Sequence, residues 1–214
     1  PLVIRVPVGG YIHGSLYHSQ SIDGYFAHTP GLKVVYPSNA SDAKGLLKYA
    51  CRCDDPVLFM EHKGIYRQGF ASSMEPDENY LLPFGKAKVV QEGSDLTIVT
   101  WGAIVQKAIE ASRNSGKSVE IIDIRTLNPL DIDTILDSIK KTNRVIVAHE
   151  DHLTSGFGSE IAAQISDVGF EYLDAPVKRV ASKDVHIAYS PNLENEILVQ
   201  TSWIEQEIEE ILTY

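Results

Sequence analysis

The sequence predicts an α/β protein built on open, largely parallel sheets, and three observations carry that expectation. Short apolar, β-branched runs alternate with stretches whose apolar residues recur at helical spacing. The connections between them hold Gly, Pro, Asn or Asp where turns and helix caps need them. A complete strand–helix alternation begins only after Pro83, whereas the residues before it supply part of a sheet. Two units are therefore expected, residues 1–75 and 76–214, the first of them incomplete by itself.

Leu2 to Val8 alternates and is β-branched, so it reads as a strand, and Gly9, Gly10 and Gly14 follow it. Glycine lets backbone lie close to a ligand. His13, His18 and His28 sit in this segment; imidazole titrates near neutral pH, so each is a candidate acid, base or anion partner. Taken singly, each reads more simply as a turn cap or a filler of a polar gap.

Lys33 to Tyr36 reads as a buried strand ended by Pro37. Ser38 and Asn39 offer capping oxygens to a helix with Ala43, Leu46, Leu47 and Ala50 on its apolar face. Val57 to Met60 is the next strand, completing a parallel crossover that covers neither face of its own sheet, which reads as a piece of something longer. The start at Pro1, without an initiator Met, points the same way. Tyr66 to Leu82 is polar, has no clear period and reads as the linker.

In the second unit, strands are expected at Leu96–Thr100, Ser118–Ile124, Arg144–Ala148 and Pro176–Val180. Helices are expected from Gly102 to about Asn114, from Asp131 as cap through Ile139, and from Gly158 to about Asp167. The last helix carries Ile197, Thr201, Ile204, Ile208 and Ile211 on one face.

Composition narrows the function. A formal net charge of −10 with no basic stripe argues against nucleic acid or an anionic membrane as partner, and no apolar run approaches membrane-spanning length. Cys51 and Cys53 are the only cysteines, too close for an ordinary disulfide and without a second ligand pair for zinc, so a reducing compartment is expected.

Among chemical candidates, Gly156-Phe157-Gly158 lacks the third glycine of a dinucleotide loop and reads as tight helix packing. Glu150, Asp151 and His152 are consecutive and cannot easily converge on one ion, so a solvated loop or a subunit contact is expected. Arg125 beside Asp123 reads as a structural ion pair. Glu61, His62 and Lys63 follow a strand end, where ligand crevices form, yet a rim salt bridge suits them better.

Longer runs carry a resemblance. IRVP (4–7), LYHSQS (16–21), FAHTPGLKVVYPS (26–38), DAKGLL (42–47) and DPVLFMEHKGIYR (55–67) resemble the β subunit of the thiamine-diphosphate-dependent E1 component of 2-oxo acid dehydrogenase complexes. The likeness continues through EGSDLTIVTWG, VEIIDIRTLNPLD, KKTNRVIVAHE and LDAPVKRV, covering nearly the whole chain. It implies the second half of a pyrimidine-binding domain followed by a complete transketolase C-terminal-like domain.

The resemblance further implies thiamine diphosphate and magnesium as cofactors, both held mainly by sequence outside this chain, which contains no Gly-Asp-Gly motif. It implies that His18 is the active-site histidine, facing the substrate end of the cofactor, binding the oxo acid carboxylate and assisting acylation of lipoamide. Ser19 and Gln20 would orient it. A structural potassium ion would lie on the backbone of Ala50, Cys51, Cys53 and Asp55, although CRCDD departs from the commoner IRDxN pattern. Implied partners are an E1 α subunit or a fused N-terminal half, the lipoyl and subunit-binding domains of E2, and a second copy through the C-terminal domain. The implied compartment is the bacterial cytoplasm or the mitochondrial matrix.

LYHSQS and EHKGIYR read closer to the branched-chain type than to the pyruvate type. Two other readings stand beside this one. In the first, the piece is a non-catalytic dimerisation and E2-docking module. In the second it belongs to another thiamine enzyme such as transketolase, although such enzymes carry a GPTH-like segment where this chain has HSQS.

Overall fold

The computed structural model describes all 214 residues. Two sheets form. Strands β1 (Leu2–Val8), β2 (Lys33–Val35) and β3 (Pro56–His62) belong to the first, in the order β1-β3-β2, all parallel. Between β1 and β2 lie the one-turn helix α1 (Ser15–His18) and α2 (Asp23–Ala27), and between β2 and β3 lies α3 (Ala40–Ala50). Asn39 caps α3 by accepting the Asp42 amide, as its position predicts.

The second sheet has the order β4-β6-β5-β8-β9, from β4 (Lys88–Gln91), β5 (Leu96–Thr100), β6 (Val119–Asp123), β8 (Val145–His152) and β9 (Lys178–Ser182). It is parallel except for the β4 edge. Helices α4 (Ile104–Ser115), α5 (Ile132–Thr142), α6 (Phe157–Val168), α7 (Pro191–Ile197) and α8 (Thr201–Ile211) complete it. β5 and β6 are buried along their whole length, so neither shows the in–out alternation of a half-exposed strand, and β6 buries Glu120 and Asp123 among its apolar residues.

Four features depart from the sequence reading. The RTLNP segment is not only a loop: Thr126–Asn128 forms β7, which crosses over to pair antiparallel with β2 in the first sheet. β4 is an added antiparallel edge with little apolar signal. The last helix is two: α7 ends at Ile197, and α8 starts at Thr201, so Ile197 does not share a face with Ile204, Ile208 and Ile211. Finally, β8 runs on through His152 with His149, Glu150 and Asp151 buried, where a solvated loop or a subunit contact is expected for Glu150, Asp151 and His152. The polar letters hid the strand because its end packs under the first sheet.

The Tyr66–Leu82 segment has only a short 3-10 turn at Gly69–Ala71 and is strapped along α3. The Ser41 amide donates to Ser73 Oγ at 2.7 Å and the Leu82 amide to the Gly45 carbonyl at 3.2 Å. The main apolar cluster draws on both sheets, joining Val8, Val34, Tyr36, Leu58 and Met60 to Val99, Trp101, Ile122, Leu127, Ile135 and Phe157. Burial of such side chains is worth roughly 1.5–3 kcal/mol each, so this shared cluster holds the two sheets in one position.

Gly156 and Gly158 are packing glycines, as the sequence predicts. A Cβ on Gly158 would lie 2.3 Å from His149 Cδ2, and the His149 ring cannot retreat because it stacks on Trp101 at 5.3 Å and 3°. Gly158→Ala should therefore cost about 1–3 kcal/mol through overpacking. Urea unfolding checks this, and a loss below about 0.5 kcal/mol would mean that the imidazole can move aside.

Candidate active site between the sheets

The register of the first sheet sets Val8 opposite His62, so β1 and β3 end together. Their C-terminal ends deliver Gly9–Gly10 and His62–Gly64 to one crevice, the usual place for a site in an open α/β sheet. Gly9 has φ +86°, and a Cβ there would strike the His62 ring at 2.2 Å. Only glycine lets the loop pass over that imidazole.

His62 is buried and hydrogen-bonded on both nitrogens. The Gly64 amide donates to Nδ1 at 3.0 Å, which assigns the proton to Nε2. Nε2–H then donates to Glu150 Oε2 at 2.5 Å. The other Glu150 oxygen accepts the Gly10 amide at 2.6 Å. A carboxylate from the second sheet thus fixes both strand ends of the first, and the rim salt bridge expected for this triplet is made by Glu61 alone, with exposed Arg5.

The loop between Gly9 and α1 is strained. Tyr11, His13 and Ser15 have φ of 61°, 58° and 56°, the left-handed region that costs non-glycine residues about 1–3 kcal/mol each. Groups of the second unit hold it there. Tyr11 Oη donates to the Val199 carbonyl at 2.8 Å, and Lys107 Nζ sits 4.4 Å from the Tyr11 ring centre. The His13 amide donates to Glu194 Oε1 at 3.1 Å, and His13 Nδ1 lies 2.7 Å from Glu194 Oε2.

His18 ends α1, and its side chain is exposed. Its carbonyl accepts from Lys63 Nζ, whose ammonium is pulled below the ordinary lysine range by burial and held partly up by Glu150. Ser19 is fully buried, but its Oγ accepts the Gly14 amide at 2.9 Å and does not bond the imidazole. The Gln20 carbonyl accepts the Gly9 amide at 2.9 Å. Both residues therefore shape the turn that carries His18. A groove of about 580 Å³ opens along Arg5, Lys44, Leu47, Phe59 and Glu61 and takes in His62, but His18 stands outside it.

Beyond His18, α2 is anchored to the second sheet by a buried acid pair. Trp101 Nε1 donates to Asp23 Oδ2 at 2.5 Å, and the Gly24 amide donates to Asp151 Oδ2 at 3.0 Å. Burial first, and the Asp151 charge second, push the Asp23 carboxyl well above the usual carboxylate range. Next to the pair, His149 is fully buried with neither ring nitrogen bonded, and burial drives its pKa down to about 4.

Arg125 pairs not with its neighbour Asp123 but with Asp42 of α3, at 3.2 Å, and donates to the carbonyls of Lys86 and Ala87. Asp123 instead accepts from Ser38 Oγ at 2.5 Å and from the Arg125 amide at 2.9 Å. The ion pair is structural, as expected, with a different partner.

Two family descriptions match the chain. Residues 1–68 match the transketolase pyrimidine-binding domain and residues 85–204 the transketolase C-terminal domain. The chain belongs to the transketolase C-terminal-domain family, joined here to a pyrimidine-binding segment. Among curated relatives, the 2-oxoisovalerate dehydrogenase subunit beta of Bacillus subtilis (strain 168) is 43% identical over 218 residues, covering 100% of this chain and 66% of the relative. The mitochondrial pyruvate dehydrogenase E1 component subunit beta of Dictyostelium discoideum is 43% identical over 205 residues, covering 94% and 58%. The corresponding B. subtilis pyruvate dehydrogenase subunit is 44% identical, covering 89% and 59%.

The chain thus spans between half and two thirds of the length of these relatives, all E1 β subunits from bacteria or mitochondria. A solved split-gene transketolase, described as an inactive beta4 tetramer, superposes with a TM-score of 0.78 at 22% identity, covering 99% of this chain and 66% of its own, which shows the shared fold. No helix is long and apolar enough to cross a membrane.

Asp123 makes the inter-sheet contacts sensitive to pH. Burial, its first cause, raises its pKa to about 7 against the pull of Ser38 and Arg125. A carboxyl whose folded pKa exceeds the unfolded value, about 3.9, stabilises fully below that value and loses its contribution as pH rises through the folded one. The urea midpoint of the native chain should fall relative to Asp123→Asn as pH climbs from about 4 to about 7. Parallel midpoint curves across that window would rule the buried carboxyl out as the source.

Proposed function

We propose that this chain is the C-terminal part of an E1 β portion, acting in oxidative decarboxylation of a 2-oxo acid and acyl transfer to lipoyl-E2. The observation that carries the reading is His18. It is a solvent-facing imidazole on a strained, clamped loop at the strand ends of a pyrimidine-binding segment, with relatives that are E1 β subunits over almost all of the chain. An open imidazole can pair with a carboxylate and hand a proton to a dithiolane sulfur. Buried and apolar surroundings would have supported neither task.

Thiamine diphosphate supplies the electron sink for decarboxylation when bound. This chain contributes the scaffold at the strand ends, His18, and Lys63 behind it; a partner polypeptide, an E1 α subunit or a fused N-terminal half, would supply the diphosphate and magnesium contacts. His18 on an open rim suits a site that a second polypeptide closes. For potassium at the backbone of Ala50, Cys51, Cys53 and Asp55, the support is that α3 ends at Ala50 with Cys51 as its C-cap, so the segment starts at the negative pole of the helix.

We further assign residues 1–75 to the pyrimidine-binding half with its linker and 76–214 to the C-terminal domain. The latter would carry homodimer and E2 contacts in the bacterial cytoplasm or mitochondrial matrix. A branched-chain substrate rests on LYHSQS and EHKGIYR. Overall identity does not separate the classes, at 43% and 46% for 2-oxoisovalerate relatives against 43% and 44% for pyruvate ones.

In the full-length protein assembled with its partner, His18→Ala should lower lipoamide acylation by 10²-fold or more, the range of a lost general acid–base group, with the urea midpoint unchanged. Equal loss of activity and stability would instead make residue 18 a structural cap. The 214-residue chain alone should show no thiamine-diphosphate-dependent decarboxylation, and turnover by it would sink the proposed division of labour.

A further inference from the structure

Glu194 is the one residue of α7 that is completely buried; its neighbours Leu193 and Asn195 are exposed. Its carboxylate has no lysine or arginine partner. All of its side-chain hydrogen bonds and ion pairs go to one residue, His13, through the backbone amide at 3.1 and 3.3 Å and through Nδ1 at 2.7 Å. A buried carboxylate without a full countercharge is costly, and here that cost serves a single turn of loop. The turn it holds is left-handed at His13, and the next residue, Gly14, donates to Ser19 Oγ at 2.9 Å. The Ser19 amide in turn donates to the Ser15 carbonyl at 2.9 Å, closing α1. The His18 side chain makes no hydrogen bond of its own, so its direction is set by this backbone together with the Lys63 bond to the His18 carbonyl.

We propose that Glu194 is a positioning residue for His18, acting across the two sheets through the His13 turn. The inference rests on the reading of His18 given above. It differs from a structural pin for α7, because every bond of the carboxylate leaves α7 for the loop. Glu194→Gln keeps an oxygen for the His13 amide, whereas Glu194→Ala removes both contacts.

The test uses the full-length protein assembled with its partner. Lipoyl-domain acylation and dye-coupled oxo acid decarboxylation are measured for Glu194→Ala, Glu194→Gln, His18→Ala and the Glu194→Ala/His18→Ala double variant. Hydrogen exchange of residues 9–19 and 183–200 is followed in parallel. The inference expects Glu194→Ala to lower the acylation kcat at least 10-fold, with KM for the lipoyl domain changed less than twofold. Glu194→Gln should recover most of that loss, and the double variant should be no slower than His18→Ala, because two residues acting through one group are not additive. Exchange should rise in 9–19 while α7 stays protected.

Multiplying losses in the double variant, or loosening of 183–200 with 9–19 unchanged, would overturn the positioning role. If His18→Ala left acylation intact, the functional reading itself would fall and the positioning role with it. That outcome is distinguishable, because it appears in the single His18 variant.

Discussion

The structure depends on carboxylates that the second sheet pushes into the first. Glu150 at the end of β8 accepts the Gly10 amide and the His62 Nε2–H, and Asp151 beside it accepts the Gly24 amide. Successive residues on a strand point to opposite faces, so one strand end reaches both the glycine loop and α2, on either side of His18. Apolar packing alone could join the sheets with similar strength. It could not fix which amide of a glycine loop sits where.

That distinction matters because the loop is under backbone strain. Three left-handed non-glycine residues within five positions would relax in an isolated peptide. They persist because Glu150, Glu194 and the Val199 carbonyl each bind a specific group of the loop. The energy stored there comes from the rest of the fold, chiefly the shared apolar cluster, and is expressed as one orientation of α1. Small errors in that orientation are expensive for proton transfer, which needs donor and acceptor within hydrogen-bond reach.

Much of this was legible in the sequence, and the rest failed for physical reasons. Helices of the second unit announce themselves by period because each turns one face to a core, and its central strands by short runs buried on both faces. Asn39 and Asp131 announce their helices because capping is local chemistry. The polar end of β8 was hidden, since His149, Glu150 and Asp151 look solvated until a second sheet covers them. β7 was hidden for the same reason: three residues say nothing about which sheet they will join. His62 looked like a rim residue because periodicity cannot tell which strand end another unit will bury. One signal was available: three consecutive ionisable residues directly after an apolar strand, together with a Gly-Gly loop elsewhere, are donors and acceptors in search of each other. Glu194 gave no signal, lying among the acids of an exposed short helix.

The two kinds of polar contact between the sheets do different work. Arg125 and Asp42 form a buried ion pair in which each charge answers the other, joined by carbonyls of Lys86 and Ala87. Such a pair adds little net stability over an apolar isostere, but it fixes where α3 lies against the second sheet. Asp23 and Asp151 instead bring two acids together, where burial first and the Asp151 charge second raise the Asp23 carboxyl well above the usual carboxylate range. Ion pairs tolerate some angular slack, whereas Trp101 Nε1–H is aimed at Asp23 Oδ2 and the Gly24 amide is shared between Asp23 Oδ1 and Asp151 Oδ2. The directional set anchors α2, which follows the turn carrying His18 in the chain, and the charged set lies beside α3. Geometry is thus most tightly specified around the turn that carries His18, the proposed catalytic imidazole, and left to charge and packing where only two sheets must stay together.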